Sequence, residues 1–254
     1  MTAPSPHSTL ESEPPATEAV LELRGVSAGY RQFKALFDVS LRVERASAVA
    51  LIGPNGVGKT TVARVATGLV KPTSGSVMVA GRDMTGWPTH EFVRDGVAHA
   101  PEGRSVFATL TVEENLTLPF QQRFGRSGLG DALDEAYEHF PILGERRKQT
   151  AGSLSGGQQR MLTLARVLVL KPTVLIADEL SLGLAPIINH EVYRVLAQIR
   201  SAGTALLIIE QHIDQALALA DHIVVLERGH VTYSGAPDAP EAIAAVFPRG
   251  EDLP

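Results

Sequence analysis

The chain has 254 residues, of which 44% are apolar and 20% are charged, and its formal net charge is −5. This composition excludes a disordered chain, because it supplies enough apolar surface for a sizeable core. The 28 acidic residues outnumber the 23 basic ones and no basic block stands out, which argues against a nucleic-acid-binding protein. The chain contains no cysteine, which excludes disulfides and thiolate chemistry.

The beginning of the chain predicts neither a signal peptide nor a membrane anchor. Residues 1–18 are rich in Pro, Ser, Thr and Glu, and we expect them to form a disordered N-terminal tail. They lack the basic and apolar regions of a signal peptide, and no apolar run reaches the roughly 20 residues that a membrane-spanning helix needs. We therefore expect a cytoplasmic protein that acts at a membrane only through a partner.

Short strands begin after this tail. The pattern predicts strands over 20–23, 39–43 and 48–52. Tyr30 lies between the first two of these strands. Its flat ring can stack on the adenine of a nucleotide, or it can be a half-buried strand tyrosine, and the residue pattern favours neither reading.

A phosphate-binding loop follows the third strand. The segment fits the pattern G-x-x-x-x-G-K-[ST] between a strand and a helix that contains Thr61, the context that phosphate loops require. Its glycines let backbone N–H groups curl around an anion, and the helix N-terminus adds its positive end. Lys59 is expected to reach the β- and γ-phosphates, and the Thr60 hydroxyl to bind Mg²⁺. The loop consists of Gly53, Pro54, Asn55, Gly56, Val57, Gly58, Lys59 and Thr60.

The middle of the chain changes from strands to helices. We predict a strand over 75–81, a short helix over 90–95 and a strand over 96–100 that runs into a loop broken by Pro and Gly. Beyond it, helical segments are predicted over 112–118 and 131–140. We interpret the region 111–150 as a helical insert within one chain.

A second turn that can bind an anion, at 155–157, precedes a strongly apolar helix predicted over 161–170. Ser155 can cap this helix, and Gly156 and Gly157 leave their amides open toward an anion. The apolar strand predicted over 173–177 then ends in Asp178 and Glu179. An acid at the end of a buried strand suits Mg²⁺, and Glu179 is placed to polarise an attacking water.

The last third of the chain alternates helices and strands. Helices are predicted over 187–200 and 214–220, and strands over 205–209 and 222–226. This alternation predicts an α/β fold with a parallel sheet covered on both faces.

The segment LSGGQ at 154–158, together with the phosphate loop and Asp178–Glu179, resembles the ATP-binding cassette (ABC) family. The resemblance implies a P-loop NTPase fold with a RecA-like core, a mostly parallel sheet, an antiparallel β subdomain and a helical insert. It implies an ABC ATPase domain over 19–240, with a helical subdomain at about 102–160, and a C-terminal extension over 241–254. It also implies that Ser155, Gly156, Gly157 and Gln158 bind the γ-phosphate of a nucleotide held by an opposite subunit.

Three further segments narrow the resemblance. PEGR at 101–104, LTVEENL at 110–116 and SLGLAP at 181–186 look like the LivF-type ATP-binding subunits of branched-chain amino acid importers. This resemblance implies an ATPase docked on the cytoplasmic face of a membrane permease, with an external solute-binding protein as an indirect partner. It implies a second ABC ATPase subunit, either a copy or a related protein, with 181–186 coupling the two ATP sites. Tyr30 becomes the expected adenine-stacking residue.

Several positions depart from the wider family. Glu102 stands where most cassettes have glutamine, which is typical of the LivF-like group. Gln211 aligns with the expected switch histidine, and His212 lies one position late. Gln211 can donate a hydrogen bond to the γ-phosphate but carries no proton charge. Leu180 replaces the usual proline, and Ala46–Ser47 replace a Gly-Glu pair.

The expected function is ATP hydrolysis with ATP and Mg²⁺ as cofactors, coupled to uptake of branched-chain or other hydrophobic amino acids. Glu179, Gln211 and Glu102 are the expected catalytic residues, and Thr60 and Asp178 the metal ligands. Other solutes such as urea or amides, a soluble cassette ATPase and a regulatory nucleotide-binding module remain alternatives. Phe107, Leu110 and Leu116 either line a groove for a permease helix or pack within the insert.

Overall fold

The computed structural model describes residues 18–242 except Arg104, His212 and Pro240. The predicted tail, apart from Glu18, and the predicted extension, apart from 241 and 242, lie outside the described residues. In chain order the strands are β1 (Ala19–Tyr30), β2 (Phe33–Glu44), β3 (Ala48–Ile52), β4 (Ser74–Val79), β5 (Arg82–Asp83), β6 (Val97–Ala100), β7 (Val174–Asp178), β8 (Ala205–Glu210), β9 (His222–Glu227) and β10 (His230–Gly235). The helices are α1 (Lys59–Ala66), α2 (Thr89–Arg94), α3 (Val112–Phe124), α4 (Leu129–His139), α5 (Pro141–Glu145), α6 (Gly156–Leu170), α7 (Pro186–Ser201) and α8 (Ile213–Leu219).

A six-stranded sheet forms the centre of the molecule, in the order β10-β9-β3-β8-β7-β6. All its neighbouring pairs are parallel except β9 and β10. Every residue of β3, β7 and β8 is buried, which is why these strands read as continuous apolar runs in the sequence. The carboxyl ends of β3, β7 and β8 lie at one edge, where α/β sheets bind ligands.

Each face of this sheet packs into a different hydrophobic core. Alternate residues of β3 divide between them: Val49 and Leu51 join the core shared with the antiparallel sheet and α1, whereas Ala48, Ala50 and Ile52 join the core shared with the helical insert. The antiparallel sheet has the order β2-β1-β4-β5. The predicted antiparallel β subdomain and mostly parallel core are therefore both present.

The first helix of the insert, α3, is longer than the sequence predicts. Helix α3 runs to Phe124 instead of ending at Leu118, although Pro119 lies inside it. Pro119 costs the helix a backbone hydrogen bond. A capping box between Thr111 and Glu114 and the complete burial of Phe120 offset that cost.

The sequence analysis missed β5 and β10 and predicted β1 and β2 too short. β1 and β2 each span 12 residues, and register shifts interrupt their pairing, so the regular alternation that identifies a strand is broken. β5 has only two residues, and β10 is a half-exposed edge strand without an apolar run. In the part of the chain that is described, no helix combines the length and apolar character needed to cross a membrane.

Candidate active site

The phosphate loop connects the carboxyl end of β3 to the first turn of α1. Gly58 has φ 115°, and a Cβ atom there would lie 2.9 Å from the carbonyl oxygen of Ala35. Both the conformation and the space therefore require glycine. Gly56, at φ 79°, also adopts the left-handed conformation, at the exposed part of the loop.

Lys59 lies inside the curl of this loop, with its side chain only 3% exposed. Its Nζ donates hydrogen bonds to the carbonyl oxygens of Gly53 at 2.7 Å and Pro54 at 3.1 Å, and lies 3.4 Å from Oε1 of Glu179. A buried ammonium needs such partners, because desolvation alone disfavours the charge. The loop thus holds a fixed positive charge where a phosphate would bind.

Two carboxylates follow one another at the end of β7. Asp178 is 1% exposed, and among the described residues its Oδ1 has no hydrogen-bond partner. Burial and the nearby charges of Glu179 and Glu102 raise the pKa of Asp178 to about 6. Acidic groups therefore crowd this end of the strand, and an additional cation would relieve the crowding.

Glu179 adopts a left-handed backbone conformation, with φ 49°. Such a conformation costs a non-glycine residue on the order of 1–3 kcal/mol and is characteristic of functional sites. A hydrogen bond from its N–H to the carbonyl oxygen of Ile209 in β8 holds it at 2.9 Å. The turn brings the carboxylate of Glu179 to Lys59 instead of leaving it at the solvent edge of the sheet.

The donor set of the site fits Mg²⁺. The orphaned, buried Oδ1 of Asp178 and the hydroxyl of Thr60 on α1 are the hard oxygen ligands that this ion prefers. The described residues include no group of three or more His, Asp or Glu side chains arranged as a closed metal cage. Such a site suits an ion that takes its remaining ligands from phosphate and water.

The LSGGQ turn forms the N-terminus of α6. The Ser155 hydroxyl accepts a hydrogen bond from the N–H of Gln158 at 3.3 Å, and Oε1 of Gln158 accepts from the N–H of Ser155 at 3.1 Å. This capping box orders the turn while Ser155 and Gly156 stay exposed. Gly157 is buried against α7, and it leaves no room for a side chain: a Cβ there would lie 2.7 Å from Cγ2 of Ile188.

Of the other predicted site residues, Glu102 and Gln211 follow strands of the parallel sheet, and Tyr30 lies on the antiparallel sheet. Tyr30 ends β1 and is 40% exposed, and its hydroxyl accepts a hydrogen bond from Nη1 of Arg64 at 3.1 Å. Glu102 is exposed in the loop after β6, and Gln211 is exposed directly after β8. His212 lies outside the described residues, so the choice between Gln211 and His212 stays a prediction.

The structure adds two contacts between distant segments that the sequence analysis missed. Glu210, the last residue of β8, accepts hydrogen bonds from Ser181. Arg160 of α6 donates to the carbonyl oxygen of Gly103 and so joins the LSGGQ helix to the loop that carries Glu102. The sequence did contain a signal for Glu210: it ends an apolar strand, as Asp178 ends β7.

A groove of about 890 Å³ is lined by residues of α2, β6, α3 and α6. Of Phe107, Leu110 and Leu116, none borders this groove. Leu116 is completely buried and so packs within the insert, whereas Phe107 is 56% exposed. Among the residues that line it are Arg94, Asp95, His99, Arg123, Arg166 and Lys171. Burial lowers the pKa of His99 to about 4 and so favours its neutral form, with an Nε2 that has no hydrogen-bond partner in the described chain.

Known proteins share both the sequence and the fold. Residues 36–181 match the family described as "ABC transporter". The chain is 41% identical over 214 residues to the high-affinity branched-chain amino acid transport ATP-binding protein BraG of Pseudomonas aeruginosa, an alignment covering 84% of this chain and 91% of BraG. It is 35% identical over 211 residues to the probable branched-chain amino acid transport ATP-binding protein LivF of Archaeoglobus fulgidus, covering 83% and 89% of the two chains.

The crystal structure of the ADP conformation of MJ1267, an ATP-binding cassette of an ABC transporter, superimposes with a TM-score of 0.76 at 28% identity. The match covers 92% of this chain and 96% of MJ1267. The predicted cassette fold is therefore confirmed. From the family match, the relatives and the fold together, this chain belongs to the ABC transporter family and is one of its ATP-binding cassette ATPases.

Proposed function

We propose that this chain is the ATPase subunit of an importer for branched-chain or other hydrophobic amino acids, bound to the cytoplasmic face of the membrane. The observation that carries the proposal is the 41% identity to BraG along most of both chains. The cargo is inferred from that relative's name, since the ATPase site described above contacts nucleotide and not solute.

The chemistry follows from the residues around the phosphate loop. Lys59 exchanges its contacts with Gly53 and Pro54 for the β- and γ-phosphates of ATP. Glu179, released from Lys59, accepts a proton from the water that attacks the γ-phosphorus while the bond to the β-phosphate oxygen breaks. Asp178 and Thr60 hold Mg²⁺, which would supply charge neutralisation on the phosphates.

A second cassette completes each site. Ser155 and Gly156 are exposed at the positive end of a 15-residue helix, which suits contact with an anion on a facing chain. The facing chain is a copy of this one or a related cassette. ATP binding closes the pair, and hydrolysis opens it again.

The groove between sheet and insert is the proposed contact with the permease. Arg94 pairs with Glu91, Lys171 with Glu135, and Asp95 with Arg82. Within the described part of the chain, Arg123 and Arg166 have no carboxylate partner at ion-pair distance. The groove therefore fits a cytoplasmic segment of the permease that carries an acidic side chain, and the external solute-binding protein acts through that permease.

Transport tests the cargo directly. The tagged chain is purified from membranes with its permease, reconstituted in vesicles with the solute-binding protein, and supplied with labelled leucine, isoleucine or valine. We expect ATP-dependent uptake of these amino acids and none of urea or acetamide. Uptake of urea or acetamide alone would assign another solute, and recovery only in the soluble fraction would favour a soluble cassette ATPase.

Charge reversal tests the groove. We expect Arg123→Glu to reduce the amount of permease recovered with the chain, because it removes an unpaired cation from the groove. Arg126→Glu is the control, since Arg126 is exposed and lies outside the groove. Equal recovery with both variants would contradict this docking surface.

A further inference from the structure

Glu210 is a buried carboxylate to which the proposed mechanism assigns no role. It is 2% exposed and ends β8, one residue before Gln211. Buried carboxylates are expensive unless their oxygens are hydrogen-bonded. Its partners therefore indicate what it does.

Both carboxylate oxygens of Glu210 bind the same residue of the loop after Glu179. Oε1 accepts from the N–H of Ser181 at 3.1 Å, and Oε2 accepts from the Ser181 hydroxyl at 2.8 Å. Ser181 is itself buried. This two-point contact fixes the orientation of the loop as well as its distance from β8.

The neighbouring residue of β8 holds the same loop one step earlier. The carbonyl oxygen of Ile209 accepts from the N–H of Glu179, so two consecutive residues of β8 bind Glu179 and Ser181 on either side of Leu180. Leu180 is buried between these contacts. The strained turn at Glu179 is thus held from both ends.

The surroundings of Glu210 make its ionised carboxylate costly to bury. Burial raises the pKa of Glu210, and the charge of Glu179 raises it further, against the hydrogen bonds from Ser181 and Gln211. Burial lowers the pKa of the Arg160 guanidinium, and the charges of Glu102 and Glu210 oppose that shift, so Arg160 is a cation near Glu210. The Tyr193 hydroxyl of α7 also faces Glu210, which contributes to the raised pKa of that tyrosine.

We propose that Glu210 is a positioning residue for hydrolysis that holds Ser181 and the turn at Glu179 in register with Gln211. In the proposed two-cassette function, on which this part rests, the loop at 181–184 faces the second cassette. The contact with Glu210 then ties that loop to the γ-phosphate side of the first cassette. Glu210 acts through Glu179 and Ser181 and touches no reacting atom.

The test compares Glu210→Ala, Glu210→Gln and Ser181→Ala with Asp221→Asn. Asp221 is the matched control: its carboxylate also joins two segments, accepting from the N–H of Ala48 at 2.9 Å and from Arg200 at 2.6 Å, but at the opposite edge of the same sheet. Phosphate release, ATP affinity and thermal unfolding are measured for each purified cassette, well below the unfolding temperature of each variant.

We expect Glu210→Ala to lower kcat about 10–100-fold with ATP affinity nearly unchanged, because a small displacement of the catalytic turn costs that much. Glu210→Gln keeps an acceptor oxygen for Ser181 and should recover most of the rate, and Ser181→Ala should lie between them. Asp221→Asn should lower the unfolding temperature and leave kcat unchanged. If Glu210→Ala retains the wild-type kcat, or if Asp221→Asn lowers kcat as much for a similar loss of unfolding temperature, the proposal is overturned.

A second measurement separates this proposal from the proposed function. ATP-dependent dimerisation is followed by light scattering in the Glu179→Gln background, where no turnover is needed. We expect Glu210→Ala to weaken the dimer by at least about 10-fold and Glu210→Gln to restore it. If these results hold and amino acid uptake is absent, only the proposed cargo is refuted. An unaffected dimer would refute the tie between Glu210 and the second cassette.

Discussion

At the scale of single residues, the nucleotide site is arranged around Lys59. Its ammonium pairs with Glu179 and donates hydrogen bonds to two loop carbonyls, so the loop is organised around a positive charge. The binding of phosphate replaces these partners with stronger anionic ones. The positive charge proposed to bind ATP and the carboxylate proposed to activate water are thus ion-pair partners of each other.

Lys59→Ala should weaken ATP binding about 10–100-fold, because a hydrogen bond to a charged group contributes about 1.5–3 kcal/mol. Titration calorimetry with ATP measures the change. The control is Lys34→Ala, since Lys34 is exposed and lies over the ring of Phe37. An unchanged dissociation constant for Lys59→Ala would contradict the assignment of the loop.

Glu179→Gln should lower phosphate release about 100–10,000-fold and leave ATP affinity within a few-fold, because it removes a general base and keeps the shape of the side chain. Glu191→Gln is the control, since Glu191 forms an exposed ion pair with Arg194 on α7. Equal rates in wild type and Glu179→Gln would exclude Glu179 as the base and favour a regulatory nucleotide-binding module.

At the scale of elements, the N-terminus of α6 combines a structural cap with a proposed binding surface. The capping box satisfies backbone groups of the first turn within the chain, and the exposed Ser155 and Gly156 remain available to a facing nucleotide. Gly157 packs against Ile188, which fixes the turn on α7. The two functions of Ser155 can be separated by experiment.

Ser155→Ala should lower the free energy of unfolding by about 1 kcal/mol through the lost cap. It should also lower kcat about 10–100-fold through the lost contact with the facing γ-phosphate. The control is Ser153→Ala, since Ser153 hydrogen-bonds to the carbonyl oxygen of Thr150 in the preceding turn. A stability loss with an unchanged rate would leave Ser155 as a helix cap only.

At the scale of the whole molecule, the buried parallel sheet holds both the site and the two cores. β3 supports the phosphate loop, β7 ends in Asp178, and β8 ends in Glu210, so one sheet edge presents groups from three separated parts of the chain. Movement of any one strand would disturb the geometry of the site. The core on each face keeps the strands in register.

Leu51→Ala should lower the free energy of unfolding by about 2–5 kcal/mol, because Leu51 is fully buried in β3 and its truncation leaves a cavity. Denaturant unfolding measures this loss. Leu118→Ala, at a half-exposed position of α3, should change stability by no more than about 0.5 kcal/mol. Similar losses for both variants would contradict the assigned core.

The sequence alone determined those features whose signal is local. The phosphate loop, the acids at the end of β7 and the LSGGQ turn are short patterns in which backbone conformation and chemistry follow from neighbouring residues. The apolar runs of β3, β7 and β8 identified a buried parallel sheet because both of its faces are covered. The family resemblance and the α/β fold followed from these patterns.

Only the tertiary structure decided the contacts between distant segments. Ser181 and Glu210 are 29 residues apart, and Arg160 and Gly103 are 57 apart, so no local pattern predicts either contact. Packing also carried α3 past Pro119, and buried Leu116 instead of placing it in the groove. Short-range propensity is a weak term that burial overrides, and the pairing of distant polar groups depends on which strand ends the fold brings to one edge.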